Sequence, residues 1–232
     1  MSSENFSSFL NRISAEPLYV LDDSIPHSEY IPIDLSANNS DLNNLNTTSS
    51  VAWEGYINYY LNRNNKRVAF GGYCEQRNIY KRSPYFKTLN SNEERNIHLG
   101  IDLWIKANSK IYTPLDATVH SFKNNTNFGD YGPTLILKHD VSGKFFYTLY
   151  GHLSLKSISD LQVGQKFKAF DCIASLGDSR VNGDYAPHLH FQIINEIGEH
   201  FGDYPGVCSK KNLDAFIKNC PDPNTLLKLN FN

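Results

Sequence analysis

From about residue 67 onward, apolar residues occur in short runs or in alternation with polar ones, punctuated by Gly, Pro, Asn and Asp. Segments of this length and texture read as β-strands: 68–70, 101–105, 117–122, 134–138, 145–150, 172–176 and 190–194. No long helical pattern separates them, so they predict a mainly β fold with an antiparallel core and helices only at the periphery.

The chain before residue 67 has a different texture. Residues 6–13 carry the spacing of a short amphipathic helix, and 17–21 an extended run. Residues 36–50 are rich in Asn, Ser and Thr and hold too little apolar material to pack by themselves, so they predict a loop or linker. Residues 51–61 return to helical spacing and end at the Asn-rich turn 62–65. The predicted organisation is an N-terminal helical and loop appendage, 1–66, followed by a β domain, 67–232. That domain closes on a short helical tail interrupted by Pro221-Asp222-Pro223.

Charge removes some partners. A net charge of -2, with 20% charged residues and no basic run, offers no electrostatic footprint for nucleic acid or an anionic membrane. Residues 1–14 lack the basic-then-apolar layout of a signal peptide, and no apolar stretch approaches the ~20 residues of a membrane span. The expected location is therefore the cytoplasm. The sequence says nothing of oligomeric state. Cys74, Cys172, Cys208 and Cys220 form no C-x-x-C pair and read as reduced, mostly buried residues, with a Cys208–Cys220 disulfide left open.

Four of the eight histidines and one Asp fall in the β region at spacings that matter. In His98-Leu99-Gly100-Ile101-Asp102, a straight strand would hold His98 and Asp102 roughly 13 Å apart, and Gly100 and Ile101 make a poor helix. A bend at Gly100, where backbone freedom is available, lets the two converge. In Pro187-His188-Leu189-His190-Phe191, the two imidazoles share one strand face, roughly 6.6 Å apart, and look into one cavity. One can bind a metal while the other handles protons. His152, in Tyr150-Gly151-His152, ends a strongly β-like run.

This ordered set, H-x-G-x-D then Y-G-H then P-H-x-H-F, resembles the lysostaphin/LytM-type zinc endopeptidases, which cleave peptide cross-links of bacterial cell walls. The likeness covers about residues 95–195. Tyr112-Thr113-Pro114-Leu115-Asp116 and Ile173-Ala174-Ser175-Leu176-Gly177 are similar to further stretches of that family. The resemblance implies a β barrel-sandwich core, with one zinc per chain held by His98, Asp102 and His190. It makes His152 and His188 the catalytic pair, and a peptide or peptidoglycan-derived compound the substrate. The segment 178–187 is longer and more polar than the family's usual approach to H-x-H, which reshapes one rim of the groove. Residues 71–77 and 220–224 look similar to a non-exported branch of the family.

The chain has no H-E-x-x-H, so the implied chemistry falls to His152 and His188: one takes a proton from water, the other steadies the oxyanion or protonates the leaving amine. The sequence does not divide these tasks. Two other readings stay open, a non-catalytic metal-binding or regulatory module of the same fold and a cytoplasmic zinc amide hydrolase. His27, His120, His139 and His200 read as surface or supporting residues, and Tyr131 as a turn aromatic, with a place in the groove lining as its alternative reading. Residues 1–90 either pack on the β core or send a segment across the groove.

Overall fold

The computed structural model describes residues 5–83, 86 and 93–231. Residues 1–4, where the stretch read as lacking a signal peptide begins, lie outside them. The strands are β1 (Tyr30–Pro32), β2 (Val68–Gly71), β3 (Ile97–His98), β4 (Ile101–Trp104), β5 (Lys110–Tyr112) and β6 (Ala117–Asn125). They continue with β7 (Gly132–Val141), β8 (Lys144–Gly151), β9 (Lys166–Phe167), β10 (Cys172–Ser175), β11 (His188–Ile194) and β12 (Val207–Cys208). The helices are α1 (Phe6–Ile13), α2 (Ser50–Arg63), α3 (Lys156–Ser159), α4 (Leu213–Asn219) and α5 (Asn224–Leu227). The fold is mainly β, and among the described residues no helix is long and apolar enough to cross a membrane.

Eight strands form one sheet in the order β1-β2-β4-β11-β8-β7-β6-β9. Its end strands do not pair with each other among the described residues, so the sheet stays open. Seven of its strands run antiparallel to their neighbours, and β1 joins β2 in parallel. That exception has a cause: parallel neighbours need a long crossover, and α2 lies between β1 and β2 in the chain. The β7–β8 hairpin turns on Ser142 and Gly143, both at positive φ, and closes on the pair Val141↔Lys144. Such a two-residue turn matches the twist of the strands it joins.

Alternation along β11 sorts its side chains. Leu189, Phe191 and Ile193 enter the main core with Ile101 and Leu103 of β4, and with Phe6 and Leu10 of α1. His188, His190 and Gln192 take the other face. On that face a second cluster gathers Trp53, Ile57, Leu61, Tyr80 and Trp104, and a third gathers Tyr131, Ile136, Leu149 and Ile194. The polar residues of β11 are therefore held between two apolar masses on one side of the sheet.

The extended run at 17–21 becomes a single bridge, Leu21↔Ile111, rather than a strand. Residues 36–49 form a loop with one 3-10 turn, Ser40–Leu42, pinned by the Asn39 side chain on the Asp34 carbonyl and the Asp41 N–H, and α2 already begins at Ser50. All four cysteines are free thiols, and Cys172 is exposed.

Candidate metal centre

Three adjacent strands set the site by register. His190 of β11 faces Asp102 of β4 directly, and His188 faces Trp104. On the other side His190 faces Gly151, the last residue of β8, and His152 follows it. His98 arrives differently. It lies in β3, which pairs with β12 in a separate two-stranded ladder, Val207 opposite His98. The bend expected at Gly100 is thus a change of sheet. Its reason differs from the one read in the sequence, since Gly100 does not adopt positive φ. A Cβ there would lie 2.7 Å from the His190 ring and from the Phe191 carbonyl, so close approach excludes a side chain.

The three donors converge. His98 Nε2 lies 2.8 Å from His190 Nδ1 and 3.2 Å from Asp102 Oδ1, and His190 Nδ1 lies 3.3 Å from that oxygen. All three residues are buried. Donors that share one ion through bonds of about 2 Å stand at such separations. Each outer atom is tied down. His98 Nδ1–H donates to the Gly72 carbonyl at 3.0 Å, which leaves the Nε2 lone pair facing inward. His190 Nε2–H donates to Gln192 Oε1 at 2.9 Å, which turns Nδ1 inward. The Gln192 amide is oriented in turn, because its Nε2 donates to the Pro205 carbonyl. Asp102 Oδ2 accepts from Arg77 Nη1 at 2.5 Å, while Oδ1 is buried with no hydrogen-bond partner among the described residues.

His152 and His188 stand beside this group with ring centroids 4.2 Å apart. Both donate Nδ1–H to a backbone carbonyl at 2.8 Å, His152 to Asn182 and His188 to Ala186. Each therefore keeps its Nε2 lone pair for the cavity whose wall both rings form. His188 Nε2 is 3.8 Å from Asp102 Oδ1, and its ring stacks on Trp104 at 4.0 Å. His152 has φ +64, a conformation that side chains rarely adopt. It is held there by its N–H on the Tyr131 carbonyl and by the Gly177 N–H on its own carbonyl.

Burial keeps His98, His152 and His188 neutral. Burial pushes His98 and His188 down to about 4, and His152 well below its ordinary value with the two neighbouring histidines adding to the effect. Burial alone would raise the Asp102 carboxyl, but the facing His98 and the Arg77 guanidinium outweigh it and hold the group well below the carboxylate range. A buried carboxylate and several neutral nitrogens in one cavity form a donor set suited to a cation.

The structure brings all five residues singled out in the sequence into one cavity. It also shows contributors that the sequence reading passed over. Gln192 continues the alternation of His188 and His190, a signal that would have found it. Arg77 lies in a segment noticed only for its likeness to a branch of the family, and its 5% exposed side chain bonds both Glu75 and Asp102. Asn182, which clamps the polar loop through the Tyr185 N–H and carbonyl, carried no signal at all. Tyr131 is no plain turn aromatic: it lies in the cavity wall with its hydroxyl 3.3 Å from His190 Nε2. His139, grouped with surface or supporting residues, is fully buried in β7. His27 and His120 are partly exposed and His200 is exposed.

Two imidazoles and a carboxylate stand around one point, close enough to hold a single ion, with two more imidazoles alongside. Residues 96–201, a little under half of the chain, match the model of peptidase family M23. This match agrees with the resemblance read from the motifs. Among solved structures, the catalytic domain of lysostaphin from Staphylococcus simulans is 20% identical, over 52% of this chain and 80% of that one, with a TM-score of 0.37. A putative peptidase M23 from Pseudomonas aeruginosa is 17% identical, over 62% of this chain and 53% of the other, with a TM-score of 0.39. A zinc-containing peptidase from Vibrio cholerae is 24% identical, over 45% and 31%, with a TM-score of 0.34. The chain thus spans about half of the second structure and a third of the last. None of the curated proteins matches it.

Proposed function

We propose that this chain is a zinc-dependent metallopeptidase that hydrolyses peptide (amide) bonds, with His98, Asp102 and His190 holding the ion. The observation that carries this reading is the orphaned Asp102 Oδ1, an ionised oxygen buried within 3.3 Å of two imidazole nitrogens and lacking a hydrogen-bond partner. A cation satisfies all three donors together, and a buried polar atom left without a partner is costly. Zinc bound there would polarise the scissile carbonyl and lower the pKa of a water toward ~7.

The remaining work falls to the chain itself. His152 and His188 present neutral Nε2 atoms, so either can accept the proton of the attacking water. Once protonated, the same nitrogen donates to the leaving amine or steadies the developing oxyanion. The Trp104 ring against His188, and Tyr131 and Tyr185 beside His152, keep water from the far sides of both rings. Cross-link peptides of the peptidoglycan kind are the substrate class to which the family resemblance points.

Metal analysis combined with peptide hydrolysis tests the reading. The purified protein is expected to hold about one zinc, lose it on His98→Ala or Asp102→Ala, and cleave glycyl or D-amino-acid peptides in a chelator-sensitive way. Stoichiometric zinc in both variants would refute the ligand set. Full zinc without cleavage of any peptide would favour a non-catalytic module of the same fold.

A further inference from the structure

The cavity that holds the metal centre measures about 190 Å³ and continues onto Leu35, Trp53, Ile79 and Tyr80, all of them outside the family-matched segment. These four belong to one buried cluster with Trp104. Since Trp104 stacks on His188, an apolar wall starts at a candidate proton-handling ring and runs away from the His/Asp group. The wall is built rather than loose. Trp53 is 3% exposed, and its indole N–H donates to the Thr47 carbonyl at 3.1 Å. The Trp104 ring lines the cavity as well, and its indole N–H is buried with no hydrogen-bond partner among the described residues.

We propose that this wall is a subsite for a large apolar side chain next to the scissile amide, an aromatic or branched aliphatic residue rather than glycine. The proposal rests on the metallopeptidase reading and narrows its substrate class. The volume admits on the order of a dozen waters, enough for one large apolar side chain with its amide. Burying such a side chain against Trp53, Tyr80 and Leu35 favours it over glycine by a factor of about ten or more.

Calorimetry on the zinc-loaded full chain tests this with two probes, glycine hydroxamate and phenylalanine hydroxamate. Both offer the same metal-binding group, and only one carries a ring. Phenylalanine hydroxamate is expected to bind at least tenfold tighter. The ratio should fall below about threefold in Trp53→Ala, with zinc content unchanged, and recover in Trp53→Phe. Equal binding of the two probes by the parent protein overturns the subsite while leaving the metal centre standing, and this comparison decides even if Trp53→Ala does not fold. An unchanged ratio in a folded Trp53→Ala protein also overturns it. If neither probe binds the zinc-loaded protein, the metallopeptidase reading fails and the subsite with it.

Discussion

Gln192 Oε1 sits 2.9 Å from His190 Nε2, and this contact decides which nitrogen of His190 faces Asp102 and His98. Remove the acceptor and the imidazole loses its preferred tautomer and orientation. Gln192→Met, which keeps the volume, is expected to weaken zinc binding by about 10–100-fold, the usual worth of such a supporting contact. Gln192→Glu retains an acceptor and should bind zinc nearly as well as the parent. Chelator competition measures both, with circular dichroism as the check on folding. Parental affinity in Gln192→Met would show that the contact is idle.

Gly100 makes the opposite kind of demand, for space. Its absent Cβ would press on the His190 ring and the Phe191 carbonyl, and overpacking of that sort typically destabilises by about 1–3 kcal/mol. Gly100→Ala should lower the denaturation midpoint and reduce zinc affinity together. A variant with unaltered stability and metal content would contradict the close approach of this segment to β11.

His188 and His190 project from one face of β11 two residues apart, so the steric damage from truncating either is similar. Their assigned work is different. His188→Ala is expected to keep zinc and fold while losing on the order of 10²–10⁴ in hydrolysis rate. His190→Ala should lose zinc and activity together. Full activity in His188→Ala, measured on a peptide that the parent cleaves, would remove it from the mechanism.

His139 supplies a pH prediction away from the metal. Its ring stacks on Phe146, hydrogen-bonds Thr148 Oγ1 at 2.7 Å, and is pushed down to about 4 by burial. Below an unfolded value of about 6.5, the unfolded chain takes up a proton that the folded one refuses. The contribution is therefore complete above pH 6.5 and lost as pH falls toward 4, roughly 2 kcal/mol of it by pH 5. Urea titrations at pH 7.5 and 5 should show His139→Gln losing less stability over that interval than the parent. Equal losses would mean that the ring is not held neutral.

Much of this architecture is readable in the sequence because period and chemistry agree. The expected strands at 117–122, 134–138, 145–150 and 190–194 all fall inside observed ones. The helix at 6–13 coincides with α1, whose apolar stripe and Asn5 cap are local signals. Short strands are a different matter. β1, β9 and β12 have two or three residues each, too few for alternation to register, and exist because a neighbouring strand supplies partners. At the site, five residues announced themselves through motif spacing. Arg77 and Asn182 did not, since each acts through contacts 25 or 30 positions distant in the chain.

The split of the donors between two ladders has a mechanical meaning. Asp102 and His190 are locked opposite each other across one ladder of the large sheet, so they move only if its centre opens, the most protected kind of event in a protein. His98 belongs to the small ladder of β3 and β12. An ion gripped by all three is then a rivet between two plates. The segment that follows β2 is the second fastening, since Gly72, Cys74 and Glu75 all hydrogen-bond His98 without any ion.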